Sequence, residues 1–504
     1  MSLNDIIFIK GKGGLGRPLA GEDFISGLLL FSANLPSGYS TSNRIKQFFS
    51  VADAEAAGIK SDYSDGTAAS GSYLVTAVGS NGDTLGIKVT EIGGNVVNFG
   101  TYTKVSGDTT VNAVATSIAA LINAGTFTHG YTAVATTATV AITAPKKNGV
   151  FLNSGTPIVV TIVGTIAGTL TQFSGGVASK QAVWHYHISE YFRLQPQGSL
   201  YVGIYAVPST YTFTEITTMQ NFANGKIRQI GVFKDATFAV GDLTVINTEI
   251  VTNCDANHKP LSAIYAADLS ATADLSTLTD LNTLSANKVS AVIGQDGAGL
   301  GSLLYASYGK SITCLGAVLG AASLSSVSED IAWVGKFDMS NGYELDTLAF
   351  ANGVLVASSS QNFLNALDNL RYIFLIKYVG IAGSYVNDSH TAIAVSSDYA
   401  YIENNRTIDK AIRGVYASVL PALNAPLKLN SDGTLADTTI AYYESLAELN
   451  LVQMIRDNEL SAQSVSIDST QNVLSTNTLV IAVKLVPIGV ARAIQVNISF
   501  ATQI

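Results

Sequence analysis

SLYVGIYAVPSTYTFTEITTMQNFANGKIRQIGVFKDATFAVGDLTVINTEIVTNCDANHKPLSAIYAAD, residues 199–268, decides the fold class. Three short apolar runs, 199–207, 226–233 and 261–268, alternate with 214–225 and 243–257, whose apolar residues recur at helical spacing. Strand–helix–strand alternation needs crossover connections, and these build a parallel or mixed sheet with helices on its faces. The pattern continues with LTDLNTLSAN (278–287) as a helix and KVSAVIGQD (288–296) as a strand. Upstream, FISGLLLFSA (24–33) reads as another buried strand. Residues 42–58 then have helical character, with Ile45, Phe48, Phe49 and Ala52 on one face.

Between these halves the composition changes. From 66 to 178 Thr, Val, Ala and Gly dominate, and YLVTAV (73–78), GIKVTEI (86–92), TATVAITA (137–144) and PIVVTIV (157–163) are strand-like runs separated by turn signals. One helix, 110–123, carries Val111, Val114, Ala115, Ile118 and Leu121 on one stripe. The segment reads as a mostly β domain inserted into an α/β domain made of 21–65 and 179–387. An α+β domain follows over 388–488: helices at 399–420 and 438–460, then LVIAVKLVP, with Leu479, Ile481, Val483 and Leu485 alternating. Residues 1–20 and 489–504 remain as terminal arms.

At 504 residues the chain exceeds what one core serves. Hydrophobic residues are 47% and charged residues only 13%, and the mean hydropathy is +0.30, so apolar surface must be buried somewhere. No run approaches the length of a membrane span, and MSLNDIIFIKGKGG lacks the basic-then-apolar order of a secretory signal. Membrane insertion is therefore not expected, and the remaining outlet is permanent subunit contact, which resembles a core cut in half. A formal net charge of −9 argues against direct nucleic-acid binding. Cys254 and Cys314 lack metal spacing and read as core thiols.

Chemical constellations are sparse. Gly11, Gly13 and Gly16 satisfy G-x-G-x-x-G, but Arg17-Pro18-Leu19-Ala20-Gly21 follows where a phosphate loop must open into a helix. A tether is the preferred reading. His185 and His187 would share one side of a strand, yet no third metal ligand accompanies them. Asp268, Asp296 and Asp338 follow strands or apolar runs without a nucleophile and base beside them, and acids at strand ends are ordinary turn formers. No catalytic, cofactor or metal residue is nominated, and the chain is read as a non-enzyme.

Both ends carry short apolar strands without a nearby partner: Ile6, Ile7, Phe8 and Ile9 at the start, and Ile494, Val496, Ile498 and Phe500 at the end. Such strands either fold back or add to a neighbour's sheet. In the helix after Tyr399, Ile408, Ala411, Ile412, Val415 and Val419 make an apolar stripe, while Arg406, Lys410 and Arg413 form a basic ridge able to dock an acidic partner, or a solvated face.

DYAYIENNRTIDKAIRGVYASVLPALNAPLKLNSDGTL (398–435), MIRDNELS (454–461) and SIDSTQNVLSTNTLVIAVKLVPIGVARAIQVNISF (466–500) resemble the C-terminal region of contractile phage tail sheath proteins. The likeness is to the sheath-like family frequent in Bacteroidetes phages, prophages and contractile injection systems. FISGLLLFSANLPSG (24–38), SEYFRLQPQGSLYVGIYAVP (189–208) and FANGKIRQIGVF (222–233) are similar to that family too, leaving 66–178 as a variable outer insertion. The resemblance implies stacked hexameric rings around a tail tube, assembled in the bacterial cytoplasm into a virion tail or injection particle. Its partners would be other copies, the tube protein, a baseplate and a tail terminator. It implies that the two arms lend strands to neighbours, that Arg406, Lys410 and Arg413 touch the tube, and that no cofactor is needed. Gly11, Gly13, Gly14, Gly16 and Gly489 suit hinges. The rivals are an α/β enzyme with an accessory β domain and a surface-layer or adhesive protein.

Overall fold

A computed structural model describes residues 23–501 and 503 of the chain. The central sheet has six strands in the order Val289–Ala291, Ser262–Asp268, Gln229–Thr237, Ile25–Phe31, Ser199–Tyr205, Ile45–Phe48. All neighbours are parallel except the last pair. Ile25–Phe31, the earliest strand, lies between two strands from far along the chain, and all seven of its residues are buried. A strand covered on both faces reads as a continuous apolar run, which is why ISGLLLF shows no alternation.

Three local expectations are overturned. Within 42–58, Ile45–Phe48 is an edge strand and only Val51–Ala56 is helical. Ser50 separates them: its Oγ accepts from Asp53 N at 3.3 Å, and the Asp53 carboxylate accepts from Phe49 N at 2.8 Å, a reciprocal cap that fixes the helix start. Residues 278–287 are not a helix, because Asp280, like Asp274 before it, accepts from the backbone N–H two residues on and holds a three-residue 3₁₀ turn. His185 and His187 lie on the helix Lys180–Leu194, not on a strand, so two residues apart they diverge. That helix packs on Leu315–Leu324 so closely that a Cβ on Gly316 would sit 2.2 Å from the His187 carbonyl oxygen. His187 is fully buried against Phe233, ring centroids 4.8 Å apart. Burial pushes its pKa down to about 3.

The segment between Ser70 and Ser174 has a core of its own. A four-stranded and a three-stranded antiparallel sheet flank the helix Val111–Ala124, and its buried residues, Val114, Ile118, Tyr131 and Ile142 among them, form a cluster distinct from that of the central sheet. The chain enters and leaves this body side by side: Thr67 and Val177 exchange backbone hydrogen bonds of 2.9 and 3.0 Å.

Beyond the central sheet, helices Ile402–Val419 and Asp437–Arg456 precede a hairpin of Leu460–Ser466 and Ala482–Pro487. Asn450 donates to the Gly414 carbonyl at 2.7 Å, and a Cβ at Gly414 would touch Asn450, so this glycine sets the helix contact. Among the described residues no helix is long and apolar enough to cross a membrane.

Candidate assembly site

The polypeptide leaves the hairpin at Pro487 and then forms no strand or helix, and residues 491–501 are exposed. Ile494 is 81% exposed, Val496 70%, Ile498 90% and Phe500 fully exposed. In extended backbone these four side chains fall on one face, with Gln495, Asn497 and Ser499 opposite. The segment therefore has the pattern of a half-buried strand with nothing beneath it. The hairpin it leaves is a sheet of two strands only, so each strand presents an outer edge of unpaired backbone groups among the described residues. Gly489, read as a hinge, is exposed; a Cβ there would meet nothing, and its backbone is not in the left-handed region. Ile6, Ile7, Phe8, Ile9, Gly11, Gly13, Gly14 and Gly16 lie outside the described residues.

One side chain ties the start of this segment down. Arg492 donates through Nε to Asp388 at 3.0 and 3.1 Å and through Nη2 to Asp330 at 3.1 Å and to Glu403. Its guanidinium centre lies 3.4 Å from the centroid of the Tyr401 ring. Asp330, Asp388, Tyr401 and Arg492 border a groove of about 1370 Å³ that also takes in Trp333, Tyr378 and Ile494. Burial, reinforced by Glu403 and Asp388, pushes the Asp330 carboxyl up to about 7. Burial would lower the Arg492 pKa, but Glu403 and Asp388 overcome it and raise it.

The basic ridge points inward. Arg406 is 3% exposed and donates to Ser325 Oγ at 2.6 Å, to the Ser325 carbonyl at 3.2 Å and to the Ser326 carbonyl at 3.2 Å. Lys410 bridges Glu459 at 2.5 Å and Asp23 at 2.8 Å, and Arg413 reaches Asp23 at 3.4 Å. Burial would raise the Asp23 carboxyl, but Lys410, with Arg406 and Arg413 behind it, holds it below its ordinary value. Glu459 shares Lys410, yet for it burial prevails and its pKa rises. On the same helix Asp409 takes Lys288 Nζ at 2.5 Å, both side chains buried. Meanwhile Ile412, from the apolar stripe, is 45% exposed. Periodicity identified the two faces, and the charged one is turned inward too: Ala411 of the apolar stripe is buried, with Val415 packed beside it, against Val327, Leu451 and Met454. In this arrangement Arg406, Lys410 and Arg413 offer no open basic surface to a tube.

The acids considered for catalysis do not come together. Asp268 accepts from Ser270 N and Ser311 N, each at 3.0 Å, and Asp338 from Ser340 N and Ser384 N at 2.9 Å. Asp296 lies at the N-terminal end of helix Leu300–Tyr308, accepting from Ala298 N at 3.3 Å, beside Glu344, whose carboxyl accepts from Leu300 N at 3.1 Å. Each finishes a turn or a helix end. His185 binds Glu55 at 2.8 Å. Among the described residues no group of three or more His, Cys, Asp or Glu could hold a metal ion. Asp23, Asp330, Asp388, Glu403, Glu459 and Arg492 were not nominated from sequence. Their only signal was charge in an unusually uncharged chain.

Comparison with known proteins gives two kinds of match. The helical sheath of the anti-feeding prophage in its contracted state is 14% identical, over 63% of this chain and 81% of that one, with a TM-score of 0.44. A sheath tail protein from Desulfitobacterium hafniense is 10% identical over 96% and 100%, and one from Listeria innocua 10% over 92% and 94%, each with a TM-score of 0.36. These TM-scores are low, and no curated protein matches. Family models match far more directly: DUF2586, N-terminal domain, over residues 72–390, and DUF2586, C-terminal domain, over 398–504. With most of its length covered by those two models in order, the chain belongs to the DUF2586 family.

Proposed function

We propose that this chain is the structural subunit of a contractile tail sheath, polymerising as stacked hexameric rings around a tail tube and contracting to drive the tube through a target envelope. The observation that carries this reading is the C-terminal segment: an exposed strand-patterned run with one apolar face, next to a hairpin with open edges. A strand of this kind is costly to leave bare and can complete a second copy's hairpin. The sequence likeness to sheath proteins supports the same conclusion.

On this reading the C-terminal arm satisfies its backbone groups in a neighbouring hairpin. Burial of interface area drives contraction, with no cofactor, while the arms keep neighbours linked. Gly489 supplies backbone freedom when subunits turn. Other copies, the tube protein, the baseplate and a tail terminator are the partners, and the assembled particle is the site of action.

Electron microscopy of the purified protein tests this directly. Tubes or rings are expected. Monodisperse small particles at high concentration would instead favour the enzyme alternative. Removal of 494–504 should abolish polymers while leaving a folded protomer, and unchanged tubes would overturn arm exchange.

A further inference from the structure

Both ends of the described chain are tied to one helix. On Ile402–Val419, Glu403 accepts from Arg492, at the root of the C-terminal arm, whereas Lys410 and Arg413 hold Asp23, at the root of the N-terminal segment. Residues 403 and 410 are seven positions apart, about two turns, and so share a face roughly 10 Å along the axis. Between them Arg406 is bonded to Ser325 and Ser326, and Asp409 to Lys288, which lies beside the central sheet. The helix is thus anchored to the body by its middle and carries one chain end at each side.

We propose that this helix is a clasp linking Asp23 and Arg492, with Arg492 the positioning residue that sets where residues 494–501 leave the body. The inference rests on the arm-exchange reading. Three carboxylates from separate segments, 330, 388 and 403, converge on one guanidinium, and Tyr401 covers its face. A planar fork with several donors is fixed in orientation as well as place, which a lysine ammonium is not. Two residues later Ile494 is already 81% exposed, so the free part of the arm begins directly beyond the clasp. Because Asp23 is held by the same helix, a displacement of that helix shifts Asp23 and Arg492 together.

Trypsin reads the clasp on dispersed full-length protein, since it cuts after Arg492 only when that side chain leaves its carboxylates. Release of the 493–504 peptide is followed by mass spectrometry, with cleavage after exposed Lys60 as the internal reference. Glu403→Gln and, as the milder variant, Asp388→Asn should speed release about tenfold or more with the Lys60 rate unchanged. Equal release in wild type and both variants overturns the clasp, even if removal of 494–504 abolishes tubes and arm exchange stands. Fast release in the variants together with tubes that persist without 494–504 supports the clasp and overturns arm exchange instead. Positioning has its own readout: Arg492→Lys tubes should show weakened layer lines, and lines identical to wild type would remove the positioning role.

Discussion

Phe500 offers the sharpest quantitative test of arm exchange. Its ring is fully exposed on its own chain, so all of its apolar area is available for burial on a neighbour. Burying a side chain of this size contributes about 1.5–3 kcal/mol. Truncation to alanine inside a packed contact costs at least the upper part of that range, about 2–3 kcal/mol, because a cavity is left behind. Each subunit adds one C-terminal arm, so the free energy of adding a subunit should weaken by that amount, and the critical concentration for polymerisation should rise about 30- to 150-fold. Sedimentation of polymer over a dilution series of Phe500→Ala measures it. Ser499→Ala, on the opposite face of the extended segment, is the control and should change the value by less than about threefold. If the two variants shift the critical concentration equally, Phe500 is not inserted into a neighbour and the reasoning fails.

Acidification should destabilise the protomer through His187, whose ring is kept neutral by burial with a folded pKa of about 3 against about 6.5 unfolded. The unfolded chain takes up the proton first, so stability is complete above pH 6.5 and falls by about 1.4 kcal/mol per unit as pH drops toward 3. Urea unfolding followed by Trp184 emission should show this slope reduced in His187→Leu; parallel pH profiles would contradict it. Lys288→Met should destabilise by about 3–5 kcal/mol, since it strands the buried Asp409 carboxylate and unpairs the less buried Asp255, and the double change Lys288→Met with Asp409→Leu should recover the part of the loss due to Asp409. Gly489→Ala should leave protomer stability within about 0.5 kcal/mol, because its Cβ meets nothing, so any loss of contraction seen by microscopy would come from backbone freedom used during the transition.

Much of the architecture is a local property. The alternation over 199–268 records which side chains need burial and at what period, and those periods reappear as Ser199–Tyr205, Glu215–Phe222, Gln229–Thr237 and Ser262–Asp268. The alternation in 494–500 is legible for the same reason, since a period of two needs no knowledge of partners. The helix Lys180–Leu194 was missed because nine of its fifteen residues are buried nearly all round, which erases the amphipathic stripe that marks a helix.

The direction in which a face points is a different kind of fact. Arg406, Lys410 and Arg413 repeat at helical spacing whether they meet water or the interior; in the fold Lys410 meets Asp23 and Glu459, Arg413 meets Asp23, and Arg406 meets Ser325 and Ser326. A charge turns inward where partners replace its water, carboxylates for Lys410 and Arg413, hydroxyl and carbonyl oxygens for Arg406. The partners of Lys410 come from 387 positions upstream and 49 downstream, and only the packing of the whole chain brings them together. Sequence alone determined the elements, their α/β order and the unpartnered strand pattern of the C-terminal segment. Tertiary structure decided that the basic ridge is held inside the fold, Lys410 and Arg413 by carboxylates and Arg406 by Ser325 and Ser326, and that Asp330, Asp388 and Glu403 converge on Arg492.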